Sequence, residues 1–455
     1  MMSRSMSEII LALLLLLASS PLFAAGWKAG AAKAPITPRE PVFLSGYGNR
    51  DRPSEGTAQE LHAKALALED GSGGRLVIIT TDLIGFSRTV AQAIAERIGA
   101  EQKLPRERIL LTSSHTHSGP AIEHSLTGLF KLNALQGKAV SDYTRYLEDQ
   151  TVQAAAQAFA ALAPAKLSFH RGEAGFASNR RVITKQSVNF GNNPDGPADR
   201  DVPLLRVTGG DGKLRAVLFS YACHNTTLGG DFYKFHGDYA GVAQELIEKD
   251  NPGAVALFMM GYGADANPKP RGTLENAVEN GTALSAAVDE AMKKPGQEVA
   301  AHLGSAISLI ALPLASPPAA EEFKKRRRDK NEHVKRHARR NLERLKKDGQ
   351  LQQTYFYPVQ AIQLGKQATI VALGGEVVVD YSIRLKREIG AEGFWPAGYA
   401  NDVMAYIPSK RILDEGGYEA DRSMIYYDLP GRWSDLVEDI IVAKALELVR
   451  QVRGE

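Results

Sequence analysis

The sequence predicts an α/β fold in which mixed β-sheets are flanked by helices and a metal site lies at the carboxyl ends of strands. Three observations lead there. Short apolar runs alternate with helix-length patterned stretches. Five of those runs end in turns bearing His, Glu, Asp or Asn, and in layered α/β folds side chains from separate segments converge just beyond strand ends. The 455 residues are 44% hydrophobic and 24% charged, enough for a substantial core. That composition excludes disordered, collagen-like and polytopic membrane chains, and a formal charge of only +3 argues against nucleic acid as a partner. Cys223 is the only cysteine, so neither a disulfide framework nor a cysteine-rich metal site is expected. Any metal must be held by His, carboxylate or Tyr, and the lone thiol should be buried.

At the N-terminus, Arg4 precedes an apolar run from Ile9 to Ala18, and Ser19-Ser20-Pro21 leads into Leu22-Phe23-Ala24-Ala25. A charged head, a short apolar core and a small-residue cleavage site describe a signal peptide over residues 1–24. The run is shorter than the ~20 apolar residues that cross a bilayer. The mature chain, 25–455, is therefore expected to be secreted or periplasmic.

The first strand signal of the body is Leu76-Val77-Ile78-Ile79, which runs into Thr80-Thr81-Asp82; a helix follows around Thr89 to Ile98. Ile109-Leu110-Leu111 leads into Thr112-Ser113-Ser114-His115-Thr116-His117-Ser118-Gly119-Pro120. In an extended segment residues i and i+2 face the same side, so His115 and His117 can address one centre, and at least one is expected to bind metal. Leu214 to Ala222 ends at Cys223-His224-Asn225, where His224 is either a ligand or a satisfied core residue. Ala254 to Met260 ends at Gly261-Tyr262-Gly263-Ala264-Asp265-Ala266-Asn267-Pro268. Thr369 to Leu373 ends at Gly374-Gly375-Glu376, a carboxylate placed either to cap the next helix or to complete a zinc site with the imidazoles. Trp433 to Val452 reads as a closing amphipathic helix.

One segment breaks the average. Glu321 to Asp348 holds 13 Lys/Arg against 6 Asp/Glu, an excess of seven positive charges that leaves about −4 on the rest of the chain. No Gly or Pro interrupts it before Gly349, so it reads as one inserted basic helix, about 320–349, with little apolar face. Its role is either that of a solvated surface helix or contact with an anionic membrane surface or polymer.

The T-x-x-H-T-H-S-G-P element at 112–120, together with Cys223-His224-Asn225-Thr226, Gly375-Glu376 and Asn401-Asp402 through Tyr406 to Tyr418, resembles the neutral/alkaline (non-lysosomal) ceramidase family. The likeness is to that family's N-terminal catalytic domain and runs over most of residues 26 to 440. It implies a zinc-dependent amidohydrolase acting on ceramide or another N-acyl lipid, with one Zn2+ per chain on His115, His224, Glu376 and Tyr406. The Tyr406 assignment follows the family's pair of tyrosines twelve residues apart, matched here by Tyr406 and Tyr418. His117 and Tyr418 would then face the substrate. His117 would deliver a proton to the departing nitrogen, and Tyr418 or Arg180, beside Arg181, would stabilise the oxyanion.

Two departures from the family pattern stand out. Asn267 occupies the place of a family serine, and asparagine cannot form an acyl-enzyme, so direct attack by zinc-held water is implied, with Asn267 polarising or positioning. The family usually continues into a C-terminal β-sandwich, whereas this chain stops at Glu455. The departures keep two alternatives open: a zinc esterase or amidase for a non-lipid substrate, and a catalytically silent binding protein of the same fold.

Overall fold

The computed structural model describes residues 26–455, and the expected signal peptide lies outside the described residues. The chain runs through β1 (Trp27–Pro35), β2 (His62–Glu69), β3 (Arg75–Thr81), α1 (Arg88–Gln102), β4 (Ile109–Ser113), α2 (Ala134–Ala160), β5 (Ala163–Glu173), β6 (Ala177–Ile183) and β7 (Val188–Asn193). Next come β8 (Asp201–Gly209), β9 (Leu214–Tyr221), α3 (Asp238–Asp250), β10 (Val255–Met260), β11 (Ala266–Pro268), α4 (Leu274–Lys293), β12 (Gln297–Glu298) and β13 (Leu303–Pro313). Then follow α5 (Ala320–Arg326), α6 (Glu332–Asp348), β14 (Thr354–Leu364), β15 (Ala368–Leu373), β16 (Glu376–Val377) and α7 (Val379–Ile389). The last elements are β17 (Phe394–Ala397), β18 (Tyr406–Ile407), α8 (Lys410–Glu415) and α9 (Val437–Arg453).

Among the described residues, β10-β9-β8-β5-β1-β2-β3-β4 form a large mixed sheet and β13-β14-β15-β17 a second. Side-chain alternation explains how they stack. On β2, Ala63, Ala65 and Ala67 share a core with Ile94 and Ile98 of α1 and Ala158 of α2. Leu66 and Leu68 point the other way, onto Ile362, Ile370 and Trp395 of the second sheet. That sheet's far face packs on α7 and α9 through Tyr381, Ile441 and Leu448, while α3 and α4 cover the β9–β10 end of the first sheet. The result is four layers, helix on sheet on sheet on helix. Strands buried on both faces read as near-continuous apolar runs, which is why they were legible in the sequence.

The first sheet coils until its edge strands β4 and β10 come into contact. Buried Lys64 on β2 ties the coil across its middle, reaching Glu248 on α3 at 2.6 Å and Ala256 O on β10 at 2.9 Å. The loop after β17 closes the seam. Gly398 N–H donates to Met260 O and Asn401 N–H to Leu111 O, both at 2.8 Å. The carboxyl ends of β4, β9, β10 and β15 are thereby gathered at one place.

Two expectations are corrected. The basic segment is two helices, not one. Asp329 Oδ1 accepts the Asn331 N–H and Asn331 Oδ1 accepts the His333 N–H, both at 2.8 Å, so a turn and a fresh N-cap interrupt the run. It also has a buried side: Phe323 and Ala338 pack with Leu351, and His337 and Asn341 are buried. The pair fills the connection of the β13–β14 hairpin, whose ladder closes at Pro313↔Thr354. The closing helix begins at Val437, because Trp433 is buried and its indole N–H donates to Tyr406 O at 2.8 Å.

Two histidines outside the strand-end cluster, His236 buried and His62 partly buried, make stability depend on pH. Burial, reinforced for His62 by Lys64, pulls His62 down to about 4, and burial pulls His236 down to about 4. Between about 4 and the ordinary value near 6.5, the unfolded chain binds protons that the folded chain refuses. Stability should therefore be complete above about pH 6.5 and fall as pH drops toward 4. A lower urea midpoint at pH 5 than at pH 7, with a smaller drop in His62→Gln, is the expected outcome.

Candidate metal centre

His115 follows β4 in the left-handed region, at φ 60°, where the 112–120 turn reverses and drives its imidazole inward. Its Nδ1 donates to Ile84 O at 2.6 Å, which places the ring proton on Nδ1 and leaves Nε2 as a lone pair. His224 repeats the arrangement after β9, with Nδ1 on Gly263 O at 3.2 Å. Gly263 has to be glycine for this, since a Cβ there would lie 2.2 Å from the Ala222 carbonyl carbon. Between the two Nε2 atoms sits Glu376 Oε2, 3.2 Å from His115 and 3.1 Å from His224. Burial first, and Arg180 second, pull His224 down to about 3, so its ring is neutral at ordinary pH.

Glu376 does not cap a helix. It lies in β16, which pairs in parallel with β18 so that Glu376 stands opposite Tyr406. That two-residue ladder presents a carboxylate and a phenol side by side, and Tyr406 Oη lies 3.2 Å from His224 Nε2. Tyr427 donates to Glu376 Oε1, and Tyr399 Oη lies 3.4 Å from Oε2. All four expected ligands are thus brought together, each at most 4% exposed.

His117 joins them. Its Nε2 is 3.1 Å from His115 Nε2, and the ligand atoms of His115, His117 and His224 lie within 4.8 Å of one another. Burial, then the neighbouring His115 and His224, hold His117 well below the usual histidine range. Arg50 fixes its backbone, donating to His117 O at 2.5 Å and Ser45 O at 2.9 Å. Tyr47 packs against its ring at 4.8 Å.

The structure separates the two adjacent arginines. Arg180, on β6, turns toward the cluster, donating to Tyr406 Oη at 3.1 Å with Nη1 3.3 Å from His224 Nε2, while Glu419 balances it at 2.8 Å. Arg181 points away, bonded to Glu419 at 2.5 Å and Glu415 at 3.0 Å. Tyr418 stacks edge-on against Tyr406 at 5.4 Å. Asn267 is half-buried beside the cluster, with Thr226 Oγ1 donating to its Oδ1 at 3.4 Å. These groups line a cavity of about 350 Å³ whose apolar wall includes Ile84, Leu126 and Leu129.

Two strand-end acids expected near the centre instead hold backbone. Asp82 accepts the His62 N–H at 2.9 Å and the Gln244 side chain at 3.2 Å. Asp265 accepts the Val379 N–H at the start of α7 at 2.9 Å and Asn179 at 3.1 Å. Cys223 is buried, as expected. Sequence reading missed Arg50, Tyr47, Glu419 and Tyr427, and also Arg271, which lines the cavity. The only local hint was the turn-forming Gly46-Tyr47-Gly48 ahead of Arg50.

The donor set can hold a single metal ion: two imidazole nitrogens with fixed tautomers, one carboxylate and one phenol, an N/O combination suited to zinc. Residues 27–283 match the family model described as neutral/alkaline non-lysosomal ceramidase, N-terminal. The chain belongs to this family. Among its relatives, neutral ceramidase B of Dictyostelium discoideum is 26% identical over 251 residues, 51% of this chain and 34% of that protein. Neutral ceramidase 2 of Arabidopsis thaliana is 26% identical over 264 residues, 55% of this chain and 32% of that protein. The matched stretch thus spans about a third of the curated relatives' length. The fold likeness reaches further than the sequence likeness. The crystal structure of neutral ceramidase from Pseudomonas aeruginosa superposes with a TM-score of 0.73 over 94% of this chain and 75% of that chain, at 19% identity. The fold likeness therefore extends past residue 283, where the family-model match ends.

Gly46 offers a test of how His117 is held. It sits at φ +97°, and a Cβ there would lie 2.4 Å from His117 Nδ1. Gly46→Ala should lose ~1–3 kcal/mol of stability in thermal unfolding from overpacking and strain. Metal content should be unchanged, since Gly46 presses on His117 and on none of the four expected ligands.

Proposed function

We propose that the chain is a zinc-dependent hydrolase that cleaves the amide bond of an N-acyl, ceramide-like molecule. The reading takes residues 25–455 as one catalytic unit exported from the cytoplasm. One observation bears most of its weight: His115 and His224, tautomer-fixed by backbone carbonyls, aim Nε2 lone pairs at a buried carboxylate 3.1–3.2 Å away. Family membership supports amide hydrolysis, and the relatives named as neutral ceramidases support a lipid-like substrate. Among the described residues no helix is long and apolar enough to cross a membrane.

Zinc, when bound by His115, His224, Glu376 and Tyr406, supplies Lewis acidity that polarises a carbonyl and acidifies water. The chain's own residues do the rest. Burial raises the Tyr406 phenol well above its ordinary range, and Arg180, bonded to its hydroxyl, works against that by favouring the phenolate. His117 is neutral in its buried setting, so it begins as the proton acceptor. It takes a proton from the attacking water and returns it to the amide nitrogen as the C–N bond breaks. The Tyr418 hydroxyl bonds no protein group among the described residues, and it donates to the carbonyl oxygen as negative charge develops there. Asn267 orients the substrate through its side-chain amide. It has no hydroxyl to acylate, so water attacks the carbonyl carbon directly.

The purified protein should contain one zinc per chain by elemental analysis and release amine from N-acyl substrates, and His115→Ala should lose both. His117→Ala should keep the metal and lose ~10²–10⁴ in kcat, the scale of general acid–base catalysis. Zinc lost along with His117 would move that residue into the ligand set. A wild-type protein without stoichiometric zinc, or an active metal-bearing His115→Ala variant, would contradict the proposal.

A further inference from the structure

The cavity at the metal centre adjoins a larger space on its outer side. Phe190, Tyr418 and Tyr426 line it and also line an outer chamber of about 1120 Å³. Phe190 and Tyr418 lie 4.9 Å apart and Tyr418 and Tyr426 6.3 Å apart, so the three rings form a sill between the two spaces. The outer chamber's roof is the basic insertion, which is docked on the body rather than free. His333 Nδ1 lies 3.2 Å from Gly128 O, Arg336 donates to the same carbonyl at 2.7 Å, and Arg340 donates to Thr127 O at 3.0 Å. Arg344 pairs with Asp428, and Phe323 is fully buried. Part of the segment's positive charge is therefore consumed in clamping it beside the cavity wall formed by Leu126 and Leu129.

What remains faces the chamber. Its lining carries Lys324, Lys325, Arg326, Arg328 and Arg422 against Glu322, Asp329 and Asp421. Arg326 is matched by Glu322 at 2.9 Å and Lys324 by Glu321 at 2.8 Å. Among the described residues Lys325, Arg328 and Arg422 make no salt bridge, and neither does Arg271 on the wall of the inner cavity. By contrast Arg180, beside the ligands, has its partner in Glu419. Among the described residues Asp329 and Asp421 also make no salt bridge, so the lining carries a net excess of two cations, which Arg271 extends inward, and such an excess draws anionic groups toward the centre.

We infer that the outer chamber is a binding subsite for an anionic group, a carboxylate or phosphate, on the part of the substrate that protrudes past the aromatic sill. The favoured substrates are then acidic N-acyl amides rather than uncharged ones. This rests on the hydrolase reading above and sharpens its substrate class. Three soluble probes share an octanoyl amide and a six-carbon amine: N-octanoyl-6-aminohexanol, N-octanoyl-6-aminohexanoate and N-octanoyl-6-aminohexyl phosphate. With zinc-loaded protein and probes kept below micelle-forming concentrations, the two anionic probes should show kcat/KM about tenfold or more above the alcohol, through KM. That is the scale of one charge-assisted hydrogen bond. The ratio should fall to near one in Lys325→Gln/Arg328→Gln and persist in Lys346→Gln/Lys347→Gln, an equal charge change that lies off the chamber lining.

Equal kcat/KM for charged and uncharged probes overturns the inference. So does a preference that survives Lys325→Gln/Arg328→Gln, or one that Lys346→Gln/Lys347→Gln removes equally. A preference seen only when probes are carried in anionic vesicles assigns the cations to a membrane surface and also overturns it. Calorimetric binding of the same probes keeps the two readings apart. Charge-selective binding without turnover sinks the hydrolase and leaves the subsite, whereas turnover without charge selectivity does the reverse.

Discussion

The arrangement on which everything else depends is a carboxylate lodged between two imidazoles whose Nδ1 protons are committed elsewhere. His115 and His224 each commit the Nδ1 proton to a backbone carbonyl, at Ile84 and Gly263, so in the neutral ring each Nε2 presents a lone pair to Glu376. Protonating both rings would satisfy the carboxylate, but burial and Arg180 keep His224 neutral until about pH 3. Lone pairs and negative charge converging in a dry interior are costly unless a cation sits among them. A divalent ion held there would resolve the conflict, with the Tyr406 phenol, which accepts from Arg180, beside it.

Holding that cluster to within tenths of an ångström requires the ends of four strands from two sheets to stay in register. The fold does this with polar pins rather than more apolar packing. Asn401 is fastened to both sheets, its N–H on Leu111 O and its side-chain amide on Gln360 at 2.9 Å. Asp265 ties the β10 turn to the start of α7 and to Asn179, and its carbonyl accepts the Arg180 N–H at 2.8 Å. Each pin is buried and its groups are paired, so each fixes a single geometry. Asn401, Asp265 and Gly263 do not line the cavity, yet their bonds decide where the residues that line it stand.

Much of this was legible in the sequence because the signals were local. Apolar runs flag strands buried on both faces, and the turns after them carry the side chains that cluster at the cavity, so His115, His117, His224, Glu376 and Asn267 could be singled out from the chain alone. What was not legible depends on partners far away in sequence. Arg180 and Arg181 are indistinguishable until Glu419, some 240 residues on, is seen to sit between them. Asp82 and Asp265 look like site acids because they follow strands, but they turn onto backbone N–H groups whose positions only the fold supplies. Tyr427 and Arg50 had no motif to announce them. The basic segment misled because charge counting sees repulsion and solvent. Its buried Phe323 and the Asp329–Asn331 turn are single-residue signals, easily lost among thirteen cations.

The central claim is that one zinc ion is held by two imidazoles, a carboxylate and a phenol, with no sulfur. Zinc-edge X-ray absorption on the loaded wild-type protein addresses it directly. The account predicts a first shell of N/O donors at roughly 2.0–2.2 Å with multiple scattering from two imidazole rings. A shell containing sulfur near ~2.3 Å, or one that requires three imidazoles, would contradict it.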